Sequence, residues 1–505
     1  MSGVVLEIET LRPPRFDCAL LNRLGVSIRR LVADSRKVRN GDTFAAFPGE
    51  HLDGRAFIPH SIAAGANAVL WDNEGFRWDT RWPTPNLGIA GLRERLGVIA
   101  SHIYGNPSAR LSLIGVTGTN GKTSCCHWLA QAFSALGDKS AVIGTLGNGP
   151  WGGLRETDAT TPDAIALHEL LRDFLAQGVG LVAMEASSHG LTQGRVNGVS
   201  FALALFTNLS RDHLDYHGDM HCYARAKAGL FALPGLKRAV LNLDDGFGVE
   251  LAGMLAPSEV GVVGYGFEVR QRFEFPVLRA SKLRAGAQGV EFDVASPWGD
   301  AHLHSEVLGR FNAANLLAVL ATLLASGVAL EDSVRVLSEA TPVSGRMQRL
   351  GGGKLPTVVI DYAHTPDALE KVLSSLRELM GTASANAKLS CVFGCGGDRD
   401  RGKRPLMGAV AARIADQVVI TSDNPRSEDP LVIMEQIAGG IDTRNYRVIG
   451  DRAQAISEAI SDAVAGDVVL IAGKGHETYQ EIAGVKRSFS DSAVANTALG
   501  NAGWA

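Results

Sequence analysis

A chain of 505 residues exceeds the size at which a single hydrophobic core stops growing, and we predict three domains. Hydrophobic residues make up 46% and charged residues 20%, which are values of a folded globular protein and exclude a mostly disordered chain. The formal charge of -4 provides no basic surface, so neither a nucleic acid nor an anionic membrane is expected as a partner.

The first residues of the chain include acidic side chains where an export signal needs an uninterrupted apolar core, so we expect a cytoplasmic protein. The longest apolar run, residues 316–330, is shorter than the ~20 residues of a membrane span and predicts a buried helix. Six scattered cysteines favour free thiols. A metal site at Cys125, Cys126 and His127 is the weaker interpretation, because neighbouring residues of a helix point in different directions.

Apolar strand-like runs alternate with helical patterns along most of the chain. The first segment is short and mixed, whereas buried strands are predicted at 111–118, 140–145, 179–187, 201–208 and 238–245. A second series of alternating strands and helices follows and predicts a Rossmann-like unit. We therefore predict an α/β protein with a mixed α/β N-terminal domain (1–109), a central P-loop domain with a parallel sheet (110–345) and a C-terminal Rossmann-like domain (346–505).

One helix of the central domain has clear predicted ends. In TTPDAIALHELLRDFLAQG, Thr161 is a suitable N-cap, Pro162 a suitable first helical residue and Gly178 a suitable stop.

The sequence GVTGTNGKTS, residues 115–124, lies between a predicted strand and a predicted helix. It differs from the standard P-loop by carrying valine at the first glycine position. Gly118 and Gly121 allow close backbone approach, Lys122 supplies positive charge and Thr123 can bind Mg²⁺. Phosphate binding is therefore favoured over an ordinary strand-to-helix turn.

Two later segments carry candidate metal ligands. Glu185 ends an apolar strand, where an acidic residue beside a P-loop can reach Mg²⁺, although a strand-end glutamate is by itself more often a surface residue. His213, His217 and His221 are spaced by four residues, which on one helix would form a zinc-like stripe. Gly218 interrupts that helix, so zinc is the weaker interpretation.

The variant G-x-x-G-T-N-G-K-T resembles the loop of the Mur ligases and folylpolyglutamate synthetases, ATP-dependent enzymes that join an amino group to a carboxylate. The resemblance implies ATP and Mg²⁺ as cofactors. It further implies that His213 binds Mg²⁺ with Thr123 and Glu185, and that CO₂ converts Lys227 into a carbamate. A carbamate replaces an ammonium that would repel Mg²⁺ with an anionic oxygen ligand. Spacing alone would make Lys227 a solvated helix lysine.

The same resemblance implies the nucleotide site and the catalytic groups. The ATP contacts implied by the P-loop, by LGRFNAAN and by GRM are Gly118, Thr119, Asn120, Gly121, Lys122, Thr123, Ser124, Asn312, Asn315, Arg346 and Asp361. The implied catalytic residues are Lys122, Lys227, His213, Arg346 and His364. His213 and His364 are both candidates for the general base, and Asp361 and His364 could equally be structural residues at a strand end.

Further motifs resemble those of the tripeptide-forming branch of the family, which binds UDP-N-acetylmuramoyl-L-alanyl-D-glutamate. The residues implied to bind this precursor are Ser35, His51, Thr160, Thr161, Ser187, Gln193 and Arg195. Arg195 would grip a carboxylate. The signals for precursor binding in the first domain are weak, because an Asp-Ser-Arg turn is usually only a turn. In addition, Glu50-His51 is not the commonest residue pair of the family at this position.

Asp423-Asn424-Pro425-Arg426 resembles the segment by which one branch selects meso-2,6-diaminopimelate. Arg426 can bind the distal carboxylate of that amino acid in a bidentate fork, which L-lysine cannot match. The full set implied for this substrate is Arg399, Asp423, Asn424, Arg426, Gly473 and Glu477.

The implied reaction is ligation through an acyl phosphate. We expect the protein to be a monomer. The alternatives are an L-lysine-adding ligase, a folylpolyglutamate synthetase-like ligase, or a P-loop ATPase without ligation.

Overall fold

The structure is a computed structural model that describes residues 8–50, 52–157, 159–286, 288–381 and 387–501. The candidate His51 lies outside these residues. Three helix-covered sheets and one hairpin are formed by the described part of the chain. Each large sheet has a buried apolar cluster on both faces, because successive side chains of a strand point in opposite directions. The predicted α/β class is confirmed.

The N-terminal sheet has four parallel strands in the order β1-β2-β3-β4. Its strands are β1 (Leu31–Val32), β2 (Thr43–Ala46), β3 (Ala68–Asp72) and β4 (Asn86–Ile89). Its helices are α1 (Ile58–Ala63) and α2 (Leu92–Ile103). Short 3-10 helices cover Ile8–Leu11, Cys18–Leu24, Ser35–Lys37, Gly54–Phe57 and Pro107–Arg110.

The central sheet has ten strands, in the order β14-β13-β12-β11-β10-β9-β5-β8-β6-β7. The strands are β5 (Ser112–Thr117), β6 (Ser140–Gly144), β7 (Gly147–Pro150), β8 (Leu181–Glu185), β9 (Leu203–Phe206), β10 (Arg238–Asn242), β11 (Gly261–Gly266), β12 (Val277–Gly286), β13 (Gly289–Ser296) and β14 (Gly299–Ser305). The interior pairs are parallel as predicted, whereas β7, β13 and β14 add antiparallel edges that the sequence analysis did not predict.

Helices cover both faces of the central sheet. They are α3 (Lys122–Ala135), α4 (Ala164–Ala176), α5 (Ser188–Thr192), α6 (Leu214–His217), α7 (Met220–Ala228), α8 (Gly246–Leu255), α9 (Arg310–Ala325) and α10 (Leu330–Ser338), with a 3-10 turn at Gly229–Ala232. The apolar run 316–330 is not one helix, because α9 ends before Gly327, whose φ is +93°. None of the helices in the described ranges is long and apolar enough to cross a membrane.

The predicted start of α4 was wrong by two residues. The helix begins at Ala164, and the carboxylate of Asp163 caps it by accepting hydrogen bonds from two backbone amides. Thr161 is not free to cap, because its hydroxyl donates to the backbone oxygen of Glu185 at 2.9 Å. The predicted stop is confirmed by Gly178, whose φ is +76°.

The C-terminal sheet has six strands in the order β15-β16-β20-β17-β18-β19, all parallel except β15. Its strands are β15 (Gln348–Gly351), β16 (Thr357–Asp361), β17 (Leu389–Phe393), β18 (Gln417–Ile420), β19 (Tyr446–Val448) and β20 (Val468–Ala472), and a hairpin follows of β21 (Tyr479–Ile482) and β22 (Val485–Ser488). The helices are α11 (Pro366–Met380), α12 (Lys403–Ile414), α13 (Pro430–Ala438), α14 (Arg452–Ser461) and α15 (Asp491–Asn501).

Candidate active site

The P-loop connects the carboxyl end of β5 to the first turn of α3. Gly118 and Gly121 adopt φ values of +148° and +88°, which residues other than glycine rarely adopt. A Cβ at Gly118 would overlap the hydroxyl of Thr207, and one at Gly121 would overlap the amide oxygen of Asn315. The loop therefore requires both glycines for its shape and for its packing against neighbouring segments.

Two lysines, the half-buried Lys122 and the buried Lys227, converge on one carbonyl of this loop. Lys122 Nζ donates to Gly118 O at 2.8 Å and to Thr119 O at 2.9 Å, and Lys227 Nζ donates to the same Gly118 O at 2.8 Å. Burial lowers the pKa of both ammonium groups, most strongly at Lys227, where the charge of Lys122 lowers it further and Asp212 opposes the shift. Both lysines were predicted to be catalytic, and the structure brings them together.

Glu185 lies at the centre of a cluster of oxygen atoms beside the P-loop. Its carboxylate accepts hydrogen bonds from the hydroxyls of Thr123 at 3.1 Å and Thr145 at 3.2 Å, and from the Thr145 amide at 2.8 Å. The Thr145 hydroxyl also contacts that of Thr160 at 3.0 Å. A carboxylate with adjacent hydroxyls is a donor set suited to Mg²⁺. Thr145 was not predicted as a site residue, although it is the last residue of the predicted strand at 140–145.

A second buried carboxylate, Asp212, separates the two predicted histidines. Its Oδ2 lies 3.2 Å from His213 Nε2 and 3.6 Å from His364 Nε2. Burial opposes ionisation of Asp212, but the hydrogen bond and charge of His364 and the charge of His213 hold its pKa well below the ordinary value. Burial lowers the pKa of His213 to about 3 despite the neighbouring carboxylate. The sequence analysis missed Asp212, which immediately precedes His213.

A cleft with a cavity volume of 320 Å³ lies between the central and C-terminal domains, and the P-loop forms one of its walls. Arg346 also lines the cleft, donates to the Thr123 hydroxyl at 3.0 Å and lies over the ring of Tyr362 at 4.5 Å. Asn315 also lines the cleft, whereas Asn312 lies behind it and accepts from the Asn315 amide at 3.2 Å. All the predicted nucleotide residues except Gly118 and Asn312 thus line one interdomain cleft.

Asp361 lines the cleft, but both of its oxygens are already bonded. They accept from the backbone amides of Met347 and Ala363 at 2.8 Å each, and so tie β16 to the segment that carries Arg346. Burial raises the pKa of Asp361, partly offset by Arg346 and by these amides. Its contacts are those of a residue that positions Arg346.

The predicted precursor residues of the central domain form one connected group. Thr161 and Ser187 share a hydroxyl contact of 2.9 Å, and Arg195 donates to the Thr161 backbone oxygen at 2.7 Å and to Gln193 Oε1 at 2.8 Å. Gln193 in turn donates to Glu50 of the N-terminal domain at 2.6 Å. Ser35 lies apart from this group, in the 3-10 helix that Asp34 caps.

The predicted amino-acid residues lie at the carboxyl ends of β17, β18 and β20. Asn424 donates to Glu477 Oε2 at 2.8 Å, and Gly473 packs against the Asp423 carboxylate. Arg426 donates to the Gly397 backbone oxygen at 2.7 Å. Arg399 donates to the Asp398 backbone oxygen at 2.9 Å. Parallel strands present such side chains at one sheet edge, where ligands of open α/β sheets bind.

Tyr362 connects the amino-acid residues to the cleft. It lines the cleft, its ring lies 5.2 Å from that of His476, and its Cβ lies against the loop that carries Glu477. Burial raises the pKa of its hydroxyl, and the charge of Glu477 adds to the effect. The sequence analysis gave Tyr362 no role, although it stands next to the predicted Asp361.

Three family models match the chain. They are described as the Mur ligase family catalytic domain over residues 27–104, the Mur ligase middle domain over 116–323 and the Mur ligase glutamate ligase domain over 345–475. Together they cover more than half of the chain and confirm the predicted family.

Comparisons with individual proteins agree. A Chromobacterium violaceum protein named UDP-N-acetylmuramoyl-L-alanyl-D-glutamate--2,6-diaminopimelate ligase is 54% identical over 487 residues, 96% of this chain and 97% of that protein. A solved structure of a protein with the same name is 36% identical, covers 99% of each chain and has a TM-score of 0.67. The MurF ligase from Thermotoga maritima in complex with ADP shares the fold at 18% identity, with a TM-score of 0.61 over 88% of this chain and 93% of that one. The chain belongs to the Mur ligase family.

Proposed function

We propose that the chain is an ATP-dependent ligase that adds meso-2,6-diaminopimelate to UDP-N-acetylmuramoyl-L-alanyl-D-glutamate, with ADP and phosphate as the other products, in the synthesis of peptidoglycan precursors. The observation that carries this function is the 54% identity over nearly the full length to a relative named for that substrate pair. The interdomain cleft supports it, because phosphate-binding, precursor-binding and amino-acid-binding candidates adjoin one another around Glu185 and Tyr362.

In the first step, the γ-carboxylate of D-glutamate attacks the γ-phosphorus of ATP and ADP leaves, which gives an acyl phosphate. We infer that Lys122 and Arg346 face the negative charge that spreads over the phosphate oxygens, and that the amides of the P-loop cradle the remaining phosphates. We propose that Mg²⁺ would supply further charge neutralisation. The residues that would hold it are Thr123, Glu185, His213 and the carbamate of Lys227.

The carbamate at Lys227 is part of this proposal. A neutral lysine amine can attack CO₂, forming a C–N bond and releasing one proton, and burial together with the nearby charge of Lys122 lowers the pKa of Lys227 and favours the neutral amine. Lys227 is only 1% exposed and lies 4.2 Å above the Tyr223 ring.

In the second step, an amine of diaminopimelate attacks the acyl carbon, and phosphate leaves from the tetrahedral intermediate. The amine must lose a proton. Of the two candidates on either side of Asp212, His364 is the one that is not already assigned to Mg²⁺. Arg195 and Gln193 would hold the precursor, and Arg426 would bind the distal carboxylate of the amino acid.

Phosphate release tests the function directly. With the UDP-linked dipeptide and ATP present, we expect release with meso-diaminopimelate and almost none with L-lysine. Release of ADP without an amine would instead indicate a P-loop ATPase. Comparable turnover with L-lysine would assign the chain to the lysine-adding branch and overturn the role of Arg426.

A further inference from the structure

Lys474 is a buried lysine at the amino-acid end of the site with no role in the function above. It follows Gly473 after β20, and its side chain is completely buried. Its Nζ donates to Glu477 Oε2 at 2.9 Å and to Asn424 Oδ1 at 3.0 Å, and lies 3.8 Å from Asp423 Oδ1. All three partners are residues that we expect to bind the amino acid.

A buried ammonium is costly unless opposite charges and hydrogen-bond acceptors surround it. Lys474 meets that condition with two carboxylates and one amide, and its tetrahedral donors aim at these protein groups. Its contacts are therefore directed at the side chains that line the site, and its effect on a substrate would be transmitted through them.

Lys474 fixes the orientation of Asn424. The amide oxygen of Asn424 accepts from Lys474 and from the Glu481 backbone amide at 2.9 Å, so its nitrogen must face the other way. That nitrogen donates to Glu477 Oε2 at 2.8 Å. Asn424 and Lys474 thus hold the same oxygen of Glu477 from two sides.

The other oxygen of Glu477 is left available. Within the described ranges, Oε1 of Glu477 makes no hydrogen bond, and the side chain is 18% exposed. A carboxylate that is held through one oxygen presents its second oxygen in a fixed direction. That second oxygen can then accept a hydrogen bond from the ammonium of a ligand.

We propose that Lys474 is a positioning residue for the amino-acid substrate, which holds Glu477 through Oε2 so that Oε1 accepts from the distal ammonium of diaminopimelate. The inference rests on the proposed function. It predicts that removal of the Lys474 ammonium weakens binding of the amino acid specifically, while the sites for ATP and the UDP-linked precursor keep their affinity.

The charges around Glu477 show what Lys474 compensates. Lys474 and Arg452 are the cations that face it, and Asp423 and the Tyr362 hydroxyl are the other titratable neighbours. Arg452 is already paired with Asp491 at 2.7 Å. Without Lys474, the carboxylates of Asp423 and Glu477 would lose the cation that they share.

The test compares Lys474→Met with Lys486→Met. Both lysines lie over the ring of Tyr479, at 5.6 and 4.4 Å, but Lys474 is buried and donates to Glu477, whereas Lys486 is an exposed residue of β22. At pH 7 we expect Lys474→Met to raise the KM for diaminopimelate about 10- to 100-fold, the effect of losing a charge-assisted hydrogen bond, with the KM for ATP unchanged. Lys486→Met should match the wild type.

Two further measurements separate positioning from general damage. Because Lys474 acts through Glu477, Lys474→Met should add little to the KM of Glu477→Gln. Lys474→Gln, which keeps a polar head and is gentler on folding, should show an intermediate KM.

An unchanged KM for diaminopimelate in the Lys474 variants, or an equal rise in the KM of all three substrates, would overturn the inference. If the wild-type protein does not use diaminopimelate at all, the proposed function fails instead.

Discussion

Lys227 and Lys474 are two lysines buried to nearly the same extent, at 1% and 0% exposure, in opposite electrostatic surroundings. Lys227 contacts a carbonyl oxygen and an aromatic ring, has Lys122 as a neighbouring cation, and has a strongly lowered pKa. Lys474 contacts the carboxylate of Glu477 and lies near that of Asp423. Burial alone therefore does not decide what a lysine does. The first environment favours a neutral amine that can react with CO₂, and the second favours an ammonium that positions anions.

The largest expected effect is at the phosphate end. We expect Lys227→Met to lower kcat by about 10³-fold, as loss of a group that stabilises transition-state charge does. In carbonate-free buffer the wild-type rate should fall, and added bicarbonate should restore it.

Lys122→Met is the matched control, because Lys122 donates to the same Gly118 oxygen. It should also lose activity, but its residual rate should still respond to bicarbonate, whereas that of Lys227→Met should not. If Lys227→Met kept the bicarbonate response, the assignment of the carbamate to Lys227 would be wrong.

An intermediate effect is expected from Arg426, a cation of the amino-acid end that lies 3.6 Å from Glu481 Oε2. Arg426→Ala should raise the KM for diaminopimelate about 10- to 100-fold through loss of a bidentate charge-assisted contact. The KM for ATP should not change. Arg413→Ala, which removes an exposed arginine of α12, should leave both values unaltered, and an unaltered KM in Arg426→Ala would exclude Arg426 from the substrate site.

Much of the fold could be predicted because its signals are local. The predicted strand at 111–118 corresponds to β5, and the glycine-rich turn is followed by α3, because apolar runs and glycines act over a few residues. The antiparallel edge of β13 and β14 was missed, since half-exposed strands lack the continuous apolar run of buried ones. The cap of α4 was misplaced because Thr161 is bonded to a distant strand, a contact with no local signal.

The candidate site divides in the same way. Residues within motifs, such as Lys122 and Arg426, were identified by resemblance. Asp212 and Lys474 were not, although each stands beside a quoted residue, because their importance depends on partners far away in the chain. Asp212 meets His364, and Lys474 meets Asn424 across 50 residues. Such tertiary contacts cannot be read from spacing.

The smallest effect is expected from an exposed carboxylate. Glu50 accepts from Gln193 at 2.6 Å and from Tyr216 at 3.2 Å, and lies 3.4 Å from Arg93. Burial opposes ionisation, but the hydrogen bond of Tyr216 and the charge of Arg93 lower the pKa of Glu50, so it is anionic at neutral pH.

Glu50→Gln keeps the shape of the side chain and removes a negative charge near the expected precursor site. Because exposed ion pairs contribute little, we expect the KM for the anionic precursor to fall by only about 2- to 5-fold, and less at high salt. A change as large as the one expected for Lys474→Met would show that exposure does not weaken charged contacts here. Burial would then be the wrong property on which to compare Lys227 with Lys474.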